Sequence, residues 1–298
     1  MVPKELQDAR ETYDAAIAAT ERILRTLRGE GGFTVESAES VVEALLAQLE
    51  ISDALMVPFL STMTGVSSPA AGTIGPCVLS LRIGIELDDP RPELGRLGLS
   101  ALLYDIGRAG VSKGSDATAI RRGVEEQIQL LRQRGPSYAK VADLVLRTHD
   151  GPNESGPAAG KYRTVDEHVH VISLAATYHS LARQRGTRER SWPPAGLKEI
   201  LQRQRGRGRF PDKILKALIG VLATLPLGGL VRLNSGEIGY VVAKNDGFPL
   251  RPVVAVWISL GKLLAEPKPV DLQQNPFLYV NEFLGEAKLE PDLAGMLS

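Results

Sequence analysis

The sequence is poor in cysteine, in aromatics and in net charge. With only Cys77 among 298 residues, no intramolecular disulfide and no Cys-only zinc site can form, and a reducing compartment, hence the cytoplasm, is the expected setting. Lysine plus arginine balances aspartate plus glutamate at 35 each, so the molecule has no bulk field to gather nucleic acid or anionic lipid. Long apolar runs are missing too. The longest, from Ala217 to Val231, is broken by Pro226 and falls short of the ~20 residues a membrane span needs, and the charged first ten residues lack the apolar core of a secretory signal.

What is present is an ordinary core-forming composition, 43% hydrophobic and 23% charged. Charge is unevenly spread. Residues 1–60 hold eleven acids against five bases, net −6, whereas residues 183–209 hold nine bases against two acids, net +7.

Periodicity predicts a mainly α protein. A stripe of Tyr13, Ile17, Thr20, Leu24 and Leu27 marks a first helix ended by Gly29, Gly31 and Gly32. Thr34 is the expected N-cap of a second, carrying Val41, Val42, Leu45, Leu46 and Leu49. Further helices are expected over 55–63, 74–87, 97–106, 120–134, 138–149, 165–182, 197–204 and 212–225. The texture changes at Pro226. Leu230–Leu233, Glu237–Val242 and Pro252–Ile258 are short β-branched runs, the first two joined by the hairpin signal Asn234-Ser235-Gly236, and predict a small three-stranded β-appendage. The expected division is a helical region 1–64, a helical core 65–225, a β-subdomain 226–265 and a Pro-rich tail 266–298.

The most specific local pattern is Tyr104-Asp105-Ile106-Gly107-Arg108-Ala109-Gly110 at the end of an apolar stretch. It resembles the His-Asp-Ile-Gly-Lys-Ile-Gly signature of the HD-GYP subfamily of the HD phosphohydrolase superfamily. Adjacent His and Asp at a helix end there ligate a metal jointly, and the glycines let the chain turn beside it. Tyr104 stands in the histidine place, Asp105 is kept, and Arg108 replaces the lysine. The resemblance continues in order. Gly123-Val124-Glu125 stands for His-Pro-Glu, Thr148-His149-Asp150 for two histidines and a Glu, Ala176 for a ligating Asp, and Gly72 for an opening histidine. Ser155, Gly156 and Pro157 stand in the loop that names the subfamily, without its tyrosine. The β-runs after Pro226 resemble the small C-terminal extension that follows some of these domains.

The resemblance implies an HD-like helical bundle descended from metal-dependent cyclic di-GMP phosphodiesterases, with Tyr104, Asp105, Arg108, His149, Ala176 and His179 around the old site. Two retained ligands, Asp105 and His149, are fewer than the three or more that catalytic metals use. The expectation is therefore a catalytically inactive signalling protein without a metal cofactor, acting by binding as an adaptor or a nucleotide second-messenger receptor. One alternative is a phosphodiesterase whose site is rebuilt from Asp105, His149 and His179 around iron or manganese, since His179 lies one helical turn past Ala176. Another is a scaffold without ligand. Tyr104 is expected to fill the vacated metal volume with its ring.

The expected partners are a signalling protein and cyclic di-GMP, with a homodimer as a further possibility. Arg108, Arg147, Arg203, Arg205, Arg207 and Arg209 supply guanidinium groups of the kind that bind phosphate or an acidic partner. Only Phe210 accompanies that arginine run, which argues against stacking on nucleic-acid bases.

Overall fold

A computed structural model describes residues 3–27, 34–62, 68–104, 125, 128–129, 131–133, 135–150, 166–184, 195–204 and 210–285. The helices among them are α1 (Lys4–Leu27), α2 (Val35–Ile51), α3 (Met56–Thr62), α4 (Pro69–Glu86), α5 (Arg91–Leu103), α6 (Pro136–Asp150), α7 (Glu167–Gln184), α8 (Ala195–Gln204) and α9 (Asp212–Ala223), with a 3-10 turn, Asp53–Leu55, leading into α3. Five strands follow: β1 (Leu230–Leu233), β2 (Ile238–Ala243), β3 (Val253–Ser259), β4 (Lys262–Asp271) and β5 (Val280–Gly285).

α4 is the central helix of the bundle. It is buried almost all round, from Ala70 to Gly84, which its run of small and aliphatic residues permits. Ser68 caps it by accepting from the Ala71 N–H at 3.2 Å. Small residues set its neighbours' distance. A side chain added at Gly84 would meet Leu94 and Leu97 of α5, and one added at Gly98 of α5 would meet Leu81 of α4 and Val42 of α2. α1 contributes Ala9, Tyr13, Ala16, Ile23 and Leu24, and α2 its expected stripe, so the acidic N-terminal hairpin packs on the bundle rather than standing apart. Thr34 occupies the N-cap of α2, but its hydroxyl donates to the Ser37 hydroxyl and caps no backbone N–H.

The sheet is antiparallel throughout, in the order β4-β3-β2-β1-β5. The hairpin turns where the sequence places it: Gly236, at φ +88, donates to the Leu233 carbonyl at 2.9 Å. The strand count is a correction, five against an expected three. β4 carries Pro267 and Pro269, which read as breakers, yet β4 is an edge strand and needs no N–H on its outer side. β5 pairs with β1 across some fifty residues of sequence, Val231 opposite Phe283, and no local pattern announces that pairing.

Among the described residues, several contacts join sheet and bundle. Leu6 and Val57 share a cluster with Leu230, Ile238, Tyr240 and Ile258. Phe283 packs on the helical core and on both faces' clusters of the sheet. Asp53 accepts from the Leu227 N–H at 3.1 Å and from Lys244 Nζ at 2.5 Å. No single helix among the described residues is long and apolar enough to cross a membrane.

Candidate functional site

α4 and α7 pack antiparallel, Gly72 beside Arg183 and Gly75 beside His179, and α5 and α6 approach them. Tyr104 forms the C-cap of α5 in helical conformation and is half-buried against the core. Its ring is thus less enclosed than a residue filling a sealed cavity. Asp105, Arg108 and Gly123 lie outside the described residues, and α6 includes His149, whose side chain lies outside them as well.

Thr148, standing for the first of the paired histidines, is buried and donates its hydroxyl to the Leu144 carbonyl at 2.7 Å. That bond turns the oxygen back onto its own helix. Arg147 pairs through Nε with Asp143 at 2.9 Å, one turn earlier on α6. The side chains of Arg203, Arg205, Arg207 and Arg209 lie outside the described residues.

α7 carries the best-defined part of the site. Ala176 is half-buried and offers no donor atom. His179 is buried, 6% exposed, with its ring pressed onto α4 at Gly75: a Cβ added there would lie 2.5 Å from Cδ2 and closer still to Nε2. On its other flank the imidazole stacks with Phe59 of α3, ring centroids 6.4 Å apart and planes 23° apart. Burial, helped by the charge of Arg183 one turn on, pushes its pKa down to about 4, so the ring is neutral at physiological pH. Arg183 itself reaches back to Gly72, where an added Cβ would lie 3.0 Å from Nη1. Gly72, the place of the opening histidine, thus makes room for an arginine.

His168 and His170 lie near the start of α7. His168 Nε2 lies 2.9 Å from Asp89 Oδ2, tying the start of α7 to the α4–α5 turn. His170 is half-buried, and burial lowers its pKa against the opposing pull of Glu167. Ser173, one turn before Ala176 on the same stripe, has a buried hydroxyl without a partner among the described residues, as does Ser80 of α4.

Among the described residues the donor set is sparse. Of the places that would carry ligands, Thr148 and Ala176 provide none, and His179 directs Nε2 at the Gly75 backbone. No group of three or more His, Cys, Asp or Glu able to hold a metal occurs among the described residues. Sequence reasoning found His179 but missed its seat, Gly75 and Phe59. The signal for it was the Gly72–Gly75 pair at helical spacing, which opens one face of α4 to close approach.

The helical bundle followed by a five-stranded C-terminal sheet is similar to HD-GYP proteins in fold, and the sequence comparisons point the same way. Residues 230–291 match the family model of a KOW domain associated with HD domain. Over 281 residues, 90% of the chain, the sequence is 22% identical to the cyclic di-GMP phosphodiesterase PA4108 of Pseudomonas aeruginosa. Over 220 residues, 68% of the chain, it is 21% identical to the cyclic di-GMP phosphodiesterase PdeB of Borreliella burgdorferi. The chain spans 66% and 56% of the length of these two relatives. Among solved structures, Bd1817, an HDG"Y"P protein from Bdellovibrio bacteriovorus, shares the fold with a TM-score of 0.53 at 16% identity, covering 74% of this chain and 73% of that one.

Proposed function

We propose that this chain is an HD-GYP-like signalling protein that acts by binding, without hydrolysing a phosphodiester. The observation that carries the reading is the α7 face, where Ala176 replaces a ligand and the nearest imidazole, His179, is buried neutral against Gly75. A metal-bound hydroxide is what makes water a nucleophile at neutral pH in such sites, and it needs a shell of several donors. Removing most of them leaves the bundle free to serve as a recognition module. The ligand proposed is cyclic di-GMP, the substrate named for both relatives, or a signalling protein that meets the net +7 segment 183–209.

The test pairs metal analysis of protein purified without chelator with a cyclic di-GMP hydrolysis assay in added iron or manganese. Well under one equivalent of metal and no turnover, with retained cyclic di-GMP binding by calorimetry, is the expected result. Stoichiometric metal that disappears in Asp105→Ala and His149→Ala, together with turnover, would establish the second reading, a phosphodiesterase with a rebuilt site, which the names of the relatives favour. For the basic segment, reversing Arg203, Arg205 and Arg207 to Glu should weaken an acidic partner mainly through its association rate, and salt should do the same.

A further inference from the structure

α3 stands between the sheet and the site. It is seven residues long, and helical geometry puts Val57 and Ser61 on one stripe and Phe59, 200° away from each, on the other. Val57 is fully buried against Leu230, Ile238 and Tyr240 of the sheet. Ser61 meets the end of β5, where Gly285 at φ +70 comes so close that an added Cβ would lie 2.6 Å from the Ser61 hydroxyl. The 3-10 turn that leads into α3 is held by Asp53, whose carboxylate takes the Leu227 N–H and Lys244 Nζ. Both ends of α3 are therefore fastened to the sheet, while its opposite face places Phe59 on the ring of His179.

We infer that the β-subdomain positions Phe59 against His179 through α3, with Asp53, Ser61 and Gly285 as the positioning residues, so that any displacement of the sheet reaches the α7 face that carries Ala176. A short helix packed on two sides moves as a unit, because close-packed interiors transmit displacement rather than absorb it. This holds whether or not the site hydrolyses anything, and its test does not use activity.

The experiment follows the His179 ring carbon–proton resonance in the full chain labelled at histidine, at pH 7. His179→Gln assigns the peak, and Phe59→Leu marks the position of a ring that has lost its stacking partner. Gly285→Ala, which drives a methyl into Ser61, should move the peak at least halfway toward the Phe59→Leu position. Adding Ser61→Ala, which removes the hydroxyl it strikes, should move it back. Gly236→Ala is the control: the residue has positive φ and nothing within 4 Å, so the substitution strains the same sheet far from α3 and should leave the peak in place. If Gly285→Ala does not fold, Lys244→Met serves in its stead with the same expected direction. A His179 peak unchanged in both variants, or moved equally by Gly236→Ala, overturns the inference.

Discussion

The ring of His179 occupies the space that a side chain at Gly75 would need. The two helices can approach at this point only because α4 has no Cβ there. Gly75→Ala should therefore push the imidazole off its seat and cost about 1–3 kcal/mol, the usual range for overpacking a filled core. Urea unfolding at pH 7 measures this. In a His179→Ala background the same substitution should cost little, since the methyl then enters vacated space.

The same seat makes His179 a source of pH-dependent stability. Its folded pKa of about 4 lies below the unfolded value near 6.5, so between these values the unfolded chain binds the extra proton. Stability attributable to the neutral ring is full above pH 6.5 and is lost as pH falls toward 4, by up to about 3 kcal/mol. The wild type minus His179→Gln difference in unfolding free energy should shrink over that interval and flatten above it.

Asp53 is almost wholly buried and serves two donors across the bundle–sheet junction, Leu227 N–H and Lys244 Nζ. Asp53→Ala leaves both without their partner and should cost about 2 kcal/mol. Lys244→Met removes only the more exposed partner and should cost less. Thermal melts of both variants decide the ranking.

Two glycines should respond in opposite senses. Gly239 of β2 lies against the β3 backbone, where an added Cβ would sit 2.7 Å from Val256 Cα, and no rotamer can relieve that contact. Gly239→Ala should cost at least about 3 kcal/mol by the overpacking scale. Gly95, inside α5 with nothing within 4 Å, should gain about 0.5–1 kcal/mol on substitution by alanine, because the unfolded chain loses entropy and the helix loses nothing.

Tyr104 is half-buried at a helix end, so Tyr104→Ala should cost about 1–2 kcal/mol, well under the ~3–5 kcal/mol of emptying a sealed aromatic site. Tyr104→His should not by itself produce cyclic di-GMP hydrolysis, because Thr148 and Ala176 still provide no ligand. Chemical denaturation and the hydrolysis assay read the two outcomes.

Much of this protein is local, and what is local was legible in the chain. The stripe of Val41, Val42, Leu45, Leu46 and Leu49 fixes the buried face of α2, because side chains three and four apart share one side of a helix. Asn234-Ser235-Gly236 fixes the first hairpin, because Gly236 tolerates positive φ. The run from Tyr104 to Gly110 and its later counterparts carry the resemblance to HD-GYP proteins, which the comparisons support.

Tertiary structure alone decided the rest. β4 is a strand despite Pro267 and Pro269 because it lies at a sheet edge, and edge status depends on which strands gather beside it. β5 joins β1 through a pairing that spans some fifty residues, so its place is settled by Phe283 packing into the bundle and by α3 beside its end rather than by any local pattern. His179 reads in the chain as a spare imidazole near a lost metal. Only the approach of α4, permitted by Gly75, and of α3, carrying Phe59, makes it a neutral, buried packing group, because desolvation is a property of what surrounds a side chain and not of the side chain itself.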